Sequence, residues 1–290
     1  MKEGDIVVLR LGTNEVVGVG IIIGGYQWLD EFSDVDGWDI QHVRRVKWIW
    51  KPIPESKKFP VYTLKQGDTT QKLDSKKVKD WLKTLGSNKN KNYDLTEIPK
   101  ANKNDISLES ISEYLFDQGI SSISIENLVK EIDELIRIAK WYLKYTNPSE
   151  YETNAYLVIP LLKALGWTPQ KMAVEWNKVD VALFNKLPRK DENLTVVVES
   201  KKKGNSCLTA KSQAESYAEG KSSCKRLIVT DGLRYGVFVR EKSKYILYAY
   251  MNLTNMRDDY PIYECKGIKS ALRAMTPEWN DFEIQIENKE

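Results

Sequence analysis

The chain has 290 residues with 44 basic and 41 acidic side chains, a net charge of +3, and a composition 41% hydrophobic and 10% aromatic. At roughly 150 residues per domain this makes one large or two ordinary domains with enough apolar material for a core, and it excludes a disordered, collagen-like or coiled-coil chain. No apolar run reaches the about 18 residues of a bilayer span, and the opening Met1-Lys2-Glu3-Gly4-Asp5 lacks the apolar stretch of a secretion signal, so no membrane association and a cytoplasmic setting are expected.

The first elements are short. Ile6 to Arg10 and Val16 to Gly24 read as two strands around the turn-rich Gly12-Thr13-Asn14-Glu15, a hairpin. An acid- and glycine-rich loop, Asp30 to Asp39, leads to a third strand, His42 to Trp50. Period-two geometry puts His42, Arg44, Val46, Trp48 and Trp50 on one face of it, and Val43, Arg45, Lys47 and Ile49 on the other. The first strong helix is Ser75 to Leu85, so residues 1–85 are expected to form a small β-barrel. Gly86 to Asn104, rich in Asn and Lys and poor in bulky apolar residues, marks a linker.

Helical patterning follows. Leu128, Ile132, Leu135, Ile136, Ala139 and Leu143 form one apolar stripe, and residues 105–148 are expected to be a helical connector. A second helix, Glu152 to Leu165, contains Pro160, which removes a backbone donor and should bend it, and Gly166 is a stop signal. Apolar strands then follow at Val179–Phe184, Thr195–Ser200, Arg226–Val229, Gly236–Arg240 and Tyr245–Tyr250, with a helix at Lys211–Ala218. Residues 149–290 therefore read as a mixed sheet flanked by helices, and the chain as a two-domain α+β or α/β protein.

The chemistry concentrates on two of these strands. In Val196-Val197-Val198-Glu199-Ser200-Lys201, alternation sends Glu199 and Lys201 to one face at the end of a strand buried on both sides. A symmetric hairpin centred between Arg189 and Lys190 places Asp180 opposite Glu199. Opposed carboxylates in an antiparallel pair lie about 5 Å apart at Cβ and repel. A divalent cation offsets that repulsion, since Mg²⁺ takes one or two carboxylates plus water and phosphate oxygens. The bland counterpart is a structural salt-bridge cluster of the same three residues. One histidine and three separated cysteines (Cys207, Cys224, Cys265) argue against a histidine-rich or zinc site and against a disulfide framework.

Asp180 followed by Glu199-x-Lys201 on the next strand resembles the PD-(D/E)XK nuclease superfamily. Glu152-Thr153-Asn154 ahead of Val158 to Trp167, then Gln213-Ala214-Glu215-Ser216-Tyr217 and Val229-Thr230-Asp231-Gly232, resemble in order and spacing the N-terminal nuclease domain of type I restriction enzyme R subunits, over about residues 150–275. The resemblance implies Mg²⁺-dependent hydrolysis of a DNA phosphodiester, with Mn²⁺ a substitute. Asp180 and Glu199 would hold the metal, with the Ser200 carbonyl a further ligand. Lys201 would orient or deprotonate the attacking water, Glu152 would assist from the preceding helix, and Gln213 and Tyr217 would face the site one helical turn apart. Asn154 stands where that family often has a basic residue. Lys202, Lys203 and Lys211 read as a solvated or phosphate-facing charge run rather than as catalytic groups.

Five of the nine tryptophans fall within the first 81 residues. Gly4 to Val8, Val17 to Ile22 and His42 to Trp48 resemble the EVE and PUA-like small barrels, some of which accompany modification-dependent restriction systems and bind a flipped, modified base. A flipped base needs an aromatic face and polar groups for its edge. Tyr26, Trp28, Trp38, His42 and Trp48 would supply these, with Arg44, Arg45 and Lys47 on the backbone, and Trp38 in its acidic loop is the leading pocket residue. Against this stands the ordinary use of Trp and Tyr in barrel packing.

The expected function is thus a metal-dependent DNA endonuclease of the modification-dependent restriction kind, with an N-terminal DNA reader. The alternatives are a non-catalytic nucleic-acid-binding adaptor, or a nuclease whose barrel binds RNA or protein. No Gly-x4-Gly-Lys-Ser/Thr motif is present, so no motor is expected in this chain. One site per chain makes a homodimer the expected form for double-strand cleavage.

Overall fold

The computed structural model describes residues 1–35, 38, 40–65, 67, 70–86, 97, 98, 100, 106–203 and 207–279, apart from the Leu143 side chain. The expected linker 86–104 therefore lies almost wholly outside the described residues, as do Asp36, Gly37 and Asp39 beside Trp38. The chain is a mixed α+β protein in two units, Met1–Leu29 with Gln41–Ile98 and Asp30–Ile40 with Pro99–Glu290. The loop expected to belong to the barrel is thus part of the second unit.

In the first unit β1 (Ile6–Leu11) and β2 (Glu15–Ile22) form the expected hairpin. The expected strand His42 to Trp50 is two strands. After β3 (Gln27–Trp28), β4 (His42–Val43) pairs with β3, while β5 (Val46–Trp50) pairs with β2, and β6 (Lys57–Lys58) adds to the other end of β2. The register slips between Val19 and Gly20, so Trp50 lies opposite Val19 and Trp48 opposite Gly20. A bulge of this kind reverses side-chain parity, which corrects the expectation that Trp48 and Trp50 share a face. Trp50 joins the core of Val16, Val19, Leu64 and Val78, edge-on to Trp81 at 5.2 Å. Trp48 instead covers Gly18 and Gly20, where an added Cβ would meet its ring at 2.8 and 3.3 Å. Helix α1 (Lys76–Leu85), capped by Ser75, packs through Val78, Trp81, Leu82 and Leu85, an i, i+3, i+4, i+7 stripe.

The second unit is built on an eight-stranded sheet. Its strands are β7 (Met172–Trp176), β8 (Val179–Phe184), β9 (Leu194–Ser200), β10 (Arg226–Thr230), β11 (Arg234–Glu241), β12 (Lys244–Asn252), β13 (Asp259–Tyr260) and β14 (Cys265–Lys266). They lie in the order β13-β14-β12-β11-β10-β9-β8-β7, with parallel pairing only for β9–β10 and β12–β14. One face is covered by residues of α2 (Leu108–Asp117), α3 (Ser122–Tyr145), α5 (Ile159–Ala164) and α7 (Ile268–Met275). The other is covered by α6 (Lys211–Ala218) through Ala214 and Ala218. The segment expected as a connector is therefore core: Ile111, Leu115, Leu128, Ile132 and Leu135 are all buried in the same apolar cluster as one face of the sheet. No helix among the described residues is long and apolar enough to cross a membrane.

The helix expected over Glu152–Leu165 is broken, as its proline demands. α4 (Glu150–Thr153) passes into a π turn, Asn154–Val158, before α5 begins with Pro160 in its first turn. Pro160 has no N–H to return to the carbonyl four residues back, and the Ile159 N–H instead reaches Asn154 O, five back. Gly166, at φ +102°, then ends α5. Its N–H and that of Trp167 donate to Lys163 O and Leu162 O, a Schellman closure. Trp167 is buried and donates its ring N–H to Met275 O at 2.7 Å. Beneath it Arg226, also buried, donates to Ala274 O and Thr276 O and stacks over Trp279. Cys207 and Cys224 are buried, and among the described residues neither they nor Cys265 forms a disulfide.

Candidate active site

The β8–β9 hairpin decides whether the two acids meet. Its ladder pairs Val181 with Val198, Ala182 with Val197 and Leu183 with Val196. This register carries Asp180 opposite Glu199. A slip does occur, between Leu183 and Phe184, but it lies toward the loop and leaves the acid end in register. Ala182 and Val197 lie in the core beneath α6, and alternation puts Asp180 and Glu199 on that same face.

Glu199 is 1% exposed. Its Oε1 accepts from Lys201 Nζ at 2.7 Å, and its Oε2 is buried with no hydrogen-bond partner among the described residues. Burial, with Asp180 adding repulsion, pushes its carboxyl up to about 7 against the pull of Lys201. Lys201 Nζ also donates to Gln213 Oε1 at 2.9 Å, and Gln213 Nε2 donates to Tyr217 Oη at 3.0 Å. Gln213 and Tyr217 sit one turn apart on α6, whose Ala214 and Ala218 are buried, so the expected i, i+4 pair faces the strand end. Asp180 Oδ2 accepts from Ser200 N at 2.7 Å and Ser200 Oγ at 2.9 Å. Ser200 thus appears here as a donor that orients Asp180, by its amide and hydroxyl, in addition to the ligand role expected of its carbonyl.

Two expectations change. Glu152 is exposed and closes a capping box, its Oε2 accepting from Ser149 N at 2.7 Å while Glu152 N donates to Ser149 Oγ. That engagement holds its carboxyl below the usual range, and the helix end rather than the strand end uses it. The acid of α4 whose charge reaches Glu199 and Lys201 is Glu150, two residues earlier. Sequence spacing offered no sign of this, because the choice depends on the α4 N-cap. Lys203, expected to face phosphate, is buried, with its backbone N–H on Thr153 Oγ1. Burial lowers its ammonium pKa, with Asp231 opposing. Lys202 is exposed as expected.

Among the described residues no group of three or more His, Cys, Asp or Glu side chains gathers. The residues nevertheless suit a hard cation of low protein-ligand demand. Two carboxylates share one strand-end face, and one of their oxygens is buried and unpartnered, an arrangement costly to leave unsatisfied.

Of the expected reader residues, three come together in the first unit. Tyr26 Oη lies 2.9 Å from His42 Nδ1, and Trp28 stands edge-on to His42 at 4.8 Å, with Tyr26 and Trp28 each 52% exposed. Arg44 and Arg45 form the link between β4 and β5, and the Arg45 carbonyl accepts from Ile23 N. Trp48 does not join this cluster, being used over Gly18 and Gly20. Trp38 is 69% exposed but belongs to the second unit, bridged by backbone hydrogen bonds to Val35.

Residues 1–73 match a family model described as a domain of unknown function, DUF8426. No curated protein matches the chain. No solved structure matches it.

Proposed function

We propose that the chain is a Mg²⁺-dependent DNA endonuclease whose second unit has the restriction-endonuclease-like fold of PD-(D/E)XK enzymes and whose first unit is an EVE/PUA-like DNA reader. The observation that carries this reading is the buried Glu199, with one oxygen unpartnered, on the same strand-end face as Asp180 and tied to Lys201. A buried carboxylate oxygen without a partner among the described residues is costly, and a cation at the strand end would relieve that cost where the Lys201 salt bridge alone does not.

Asp180 and Glu199 would hold the cation, which when bound supplies Lewis-acid stabilisation of the phosphoryl oxygens. Ser200, through two hydrogen bonds, fixes the Asp180 carboxylate before any cation arrives. Lys201 is held between Glu199 and Gln213. Burial works against its charge, but the hydrogen bond and charge of Glu199 outweigh it and raise its pKa. A lysine so held is a proton donor at neutral pH, which favours orienting water and stabilising developing negative charge over deprotonating the nucleophile. Gln213, anchored by Tyr217, fixes the lysine from the helix side. In the first unit the Tyr26–Trp28–His42 cluster offers two exposed aromatic faces and a ring nitrogen, the groups that an extruded base requires.

Incubation of the full chain with plasmid and phage DNAs carrying different cytosine and adenine modifications, with Mg²⁺ or Mn²⁺, tests the proposal. Nicking that disappears in Asp180→Ala and Lys201→Ala, with DNA binding retained, is expected. A wild-type protein inert on every DNA refutes it. The adaptor reading draws on the closed Lys201–Glu199 pair, and titration calorimetry with Mn²⁺ separates the two: an adaptor shows no isotherm that Asp180→Ala abolishes.

A further inference from the structure

The second unit contains a segment from the far end of the sequence. Asp30–Ile40 leaves β3 and returns to β4, yet it belongs to the unit built on the large sheet. Asp34, in the left-handed region at φ 58°, is 4% exposed, and charged side chains are seldom buried so completely unless they are paired. Its Oδ1 accepts from Arg234 Nε at 3.1 Å and its Oδ2 from Asn252 Nδ2 at 2.8 Å. Arg257 donates to Asp30 O and Ser33 Oγ, which clamps the same loop a second time.

Arg234 spans two carboxylates. Besides Asp34, its Nη1 donates to Asp231 Oδ2 at 2.8 Å, and Asp231 is fully buried. Asp231 Oδ1 in turn accepts from Leu233 N and Arg234 N, so it closes the turn between β10 and β11. That turn begins at Thr230, whose carbonyl accepts from the Lys201 amide at 2.7 Å. A continuous series of hydrogen bonds and covalent links thus runs from Asp34 through Arg234 and Asp231 to the backbone of the candidate catalytic lysine.

We infer that Asp34 is a positioning residue for the candidate catalytic edge, and that Asp30–Ile40 is a strap by which the N-terminal part of the chain completes the second unit and locks the β10–β11 turn under Lys201. The cluster needs both carboxylates. Without Asp34, Arg234 keeps Asp231 but loses the partner that fixes its second edge, and Asn252 loses its acceptor. Asn252 sits at the end of β12 and accepts from Thr254 through its own carbonyl, so the loosening reaches a third strand end. The functional consequence rests on the nuclease reading; the structural one does not.

Hydrogen exchange by mass spectrometry on the full chain, wild type against Asp34→Asn and Asp34→Ala, tests the inference alongside Mn²⁺-dependent nicking. Exchange about tenfold faster at residues 230–234 and at the Lys201 amide is expected, with kcat lowered and KM unchanged. Faster exchange confined to Asp30–Ile40, with Lys201 as in wild type, overturns it and leaves the loop merely packed. Should Asp34→Ala fail to fold, the isosteric Asp34→Asn and the reciprocal Arg234→Lys carry the same comparison from both sides of the pair. Wild-type protein without nicking activity would remove the nuclease reading, while the exchange pattern still decides the strap.

Discussion

Glu199→Gln distinguishes a functional carboxylate from a structural one by the sign of its effect on stability. In the folded chain the Glu199 carboxyl sits at about 7 against an ordinary 4.5. Between those two pH values the folded state keeps a proton that the unfolded state has lost, so stability falls as pH rises through the window and is level beyond it. At about 1.4 kcal/mol per pH unit, ionised Glu199 costs about 3 kcal/mol at pH 8. Glutamine has the same shape and no charge. The variant should therefore match wild type at about pH 4, below the window, and exceed it at pH 8 by up to about 3 kcal/mol, roughly 6–12 °C in Tm for a unit of this size. Thermal unfolding in a chelating buffer at the two pH values reads this directly. Adding Mn²⁺ at pH 8 should then raise the wild-type Tm and leave the variant unmoved. A variant destabilised at pH 8 by about 3–5 kcal/mol, as on breaking a buried structural pair, refutes the reasoning.

Nicking by wild type should rise with pH through about 7, as Glu199 becomes able to bind a cation, and a rate profile that falls over that range contradicts the assignment. Gln213→Ala frees Lys201 from the helix side and should lower kcat by about tenfold with little change in unfolding midpoint. Glu152→Ala removes half of a capping box, costing about 1 kcal/mol in urea unfolding and leaving nicking near wild type, whereas loss of nicking would restore Glu152 to the site. Trp28→Ala should weaken binding of an oligonucleotide carrying the recognised base by about 1–3 kcal/mol, measured by fluorescence anisotropy. Arg226→Met strips the donors from Ala274 O and Thr276 O and should destabilise by about 3 kcal/mol in urea unfolding monitored by circular dichroism.

What could be read from the sequence was local and periodic. The β8–β9 register followed from counting to the middle of a polar segment, because the pairing near Val181 and Val198 is regular and the one slip falls beside the loop. The break near Pro160 followed from a missing N–H. What could not be read depended on partners distant in sequence. Trp48 and Trp50 parted because β5 carries an extra residue, Ile49, opposite the Val19–Gly20 step of β2, a bulge that strict alternation in β5 does not reveal. Glu152 yielded to Glu150 because Ser149, a residue outside the motif, captured it as a cap. Lys203 lay in a run of lysines that read as solvated, yet strand β9 ends just before it and its backbone turns inward onto Thr153. Asp34 looked like one acid in an acidic loop; its partners are 200 and 218 residues away.

That separation also orders events during synthesis. Asp34 leaves the ribosome 200 residues ahead of Arg234, which at about 5–20 residues per second is a wait of roughly 10–40 s. Strands β3 and β4 lie on either side of the strap and are complete almost at once, so they can pair while the acid between them still has no guanidinium to meet. The large sheet, by contrast, has to gather β8 to β12 before the Arg234 and Asn252 groups that receive Asp34 exist. The strap is therefore among the first parts of the second unit to be made and among the last to be seated.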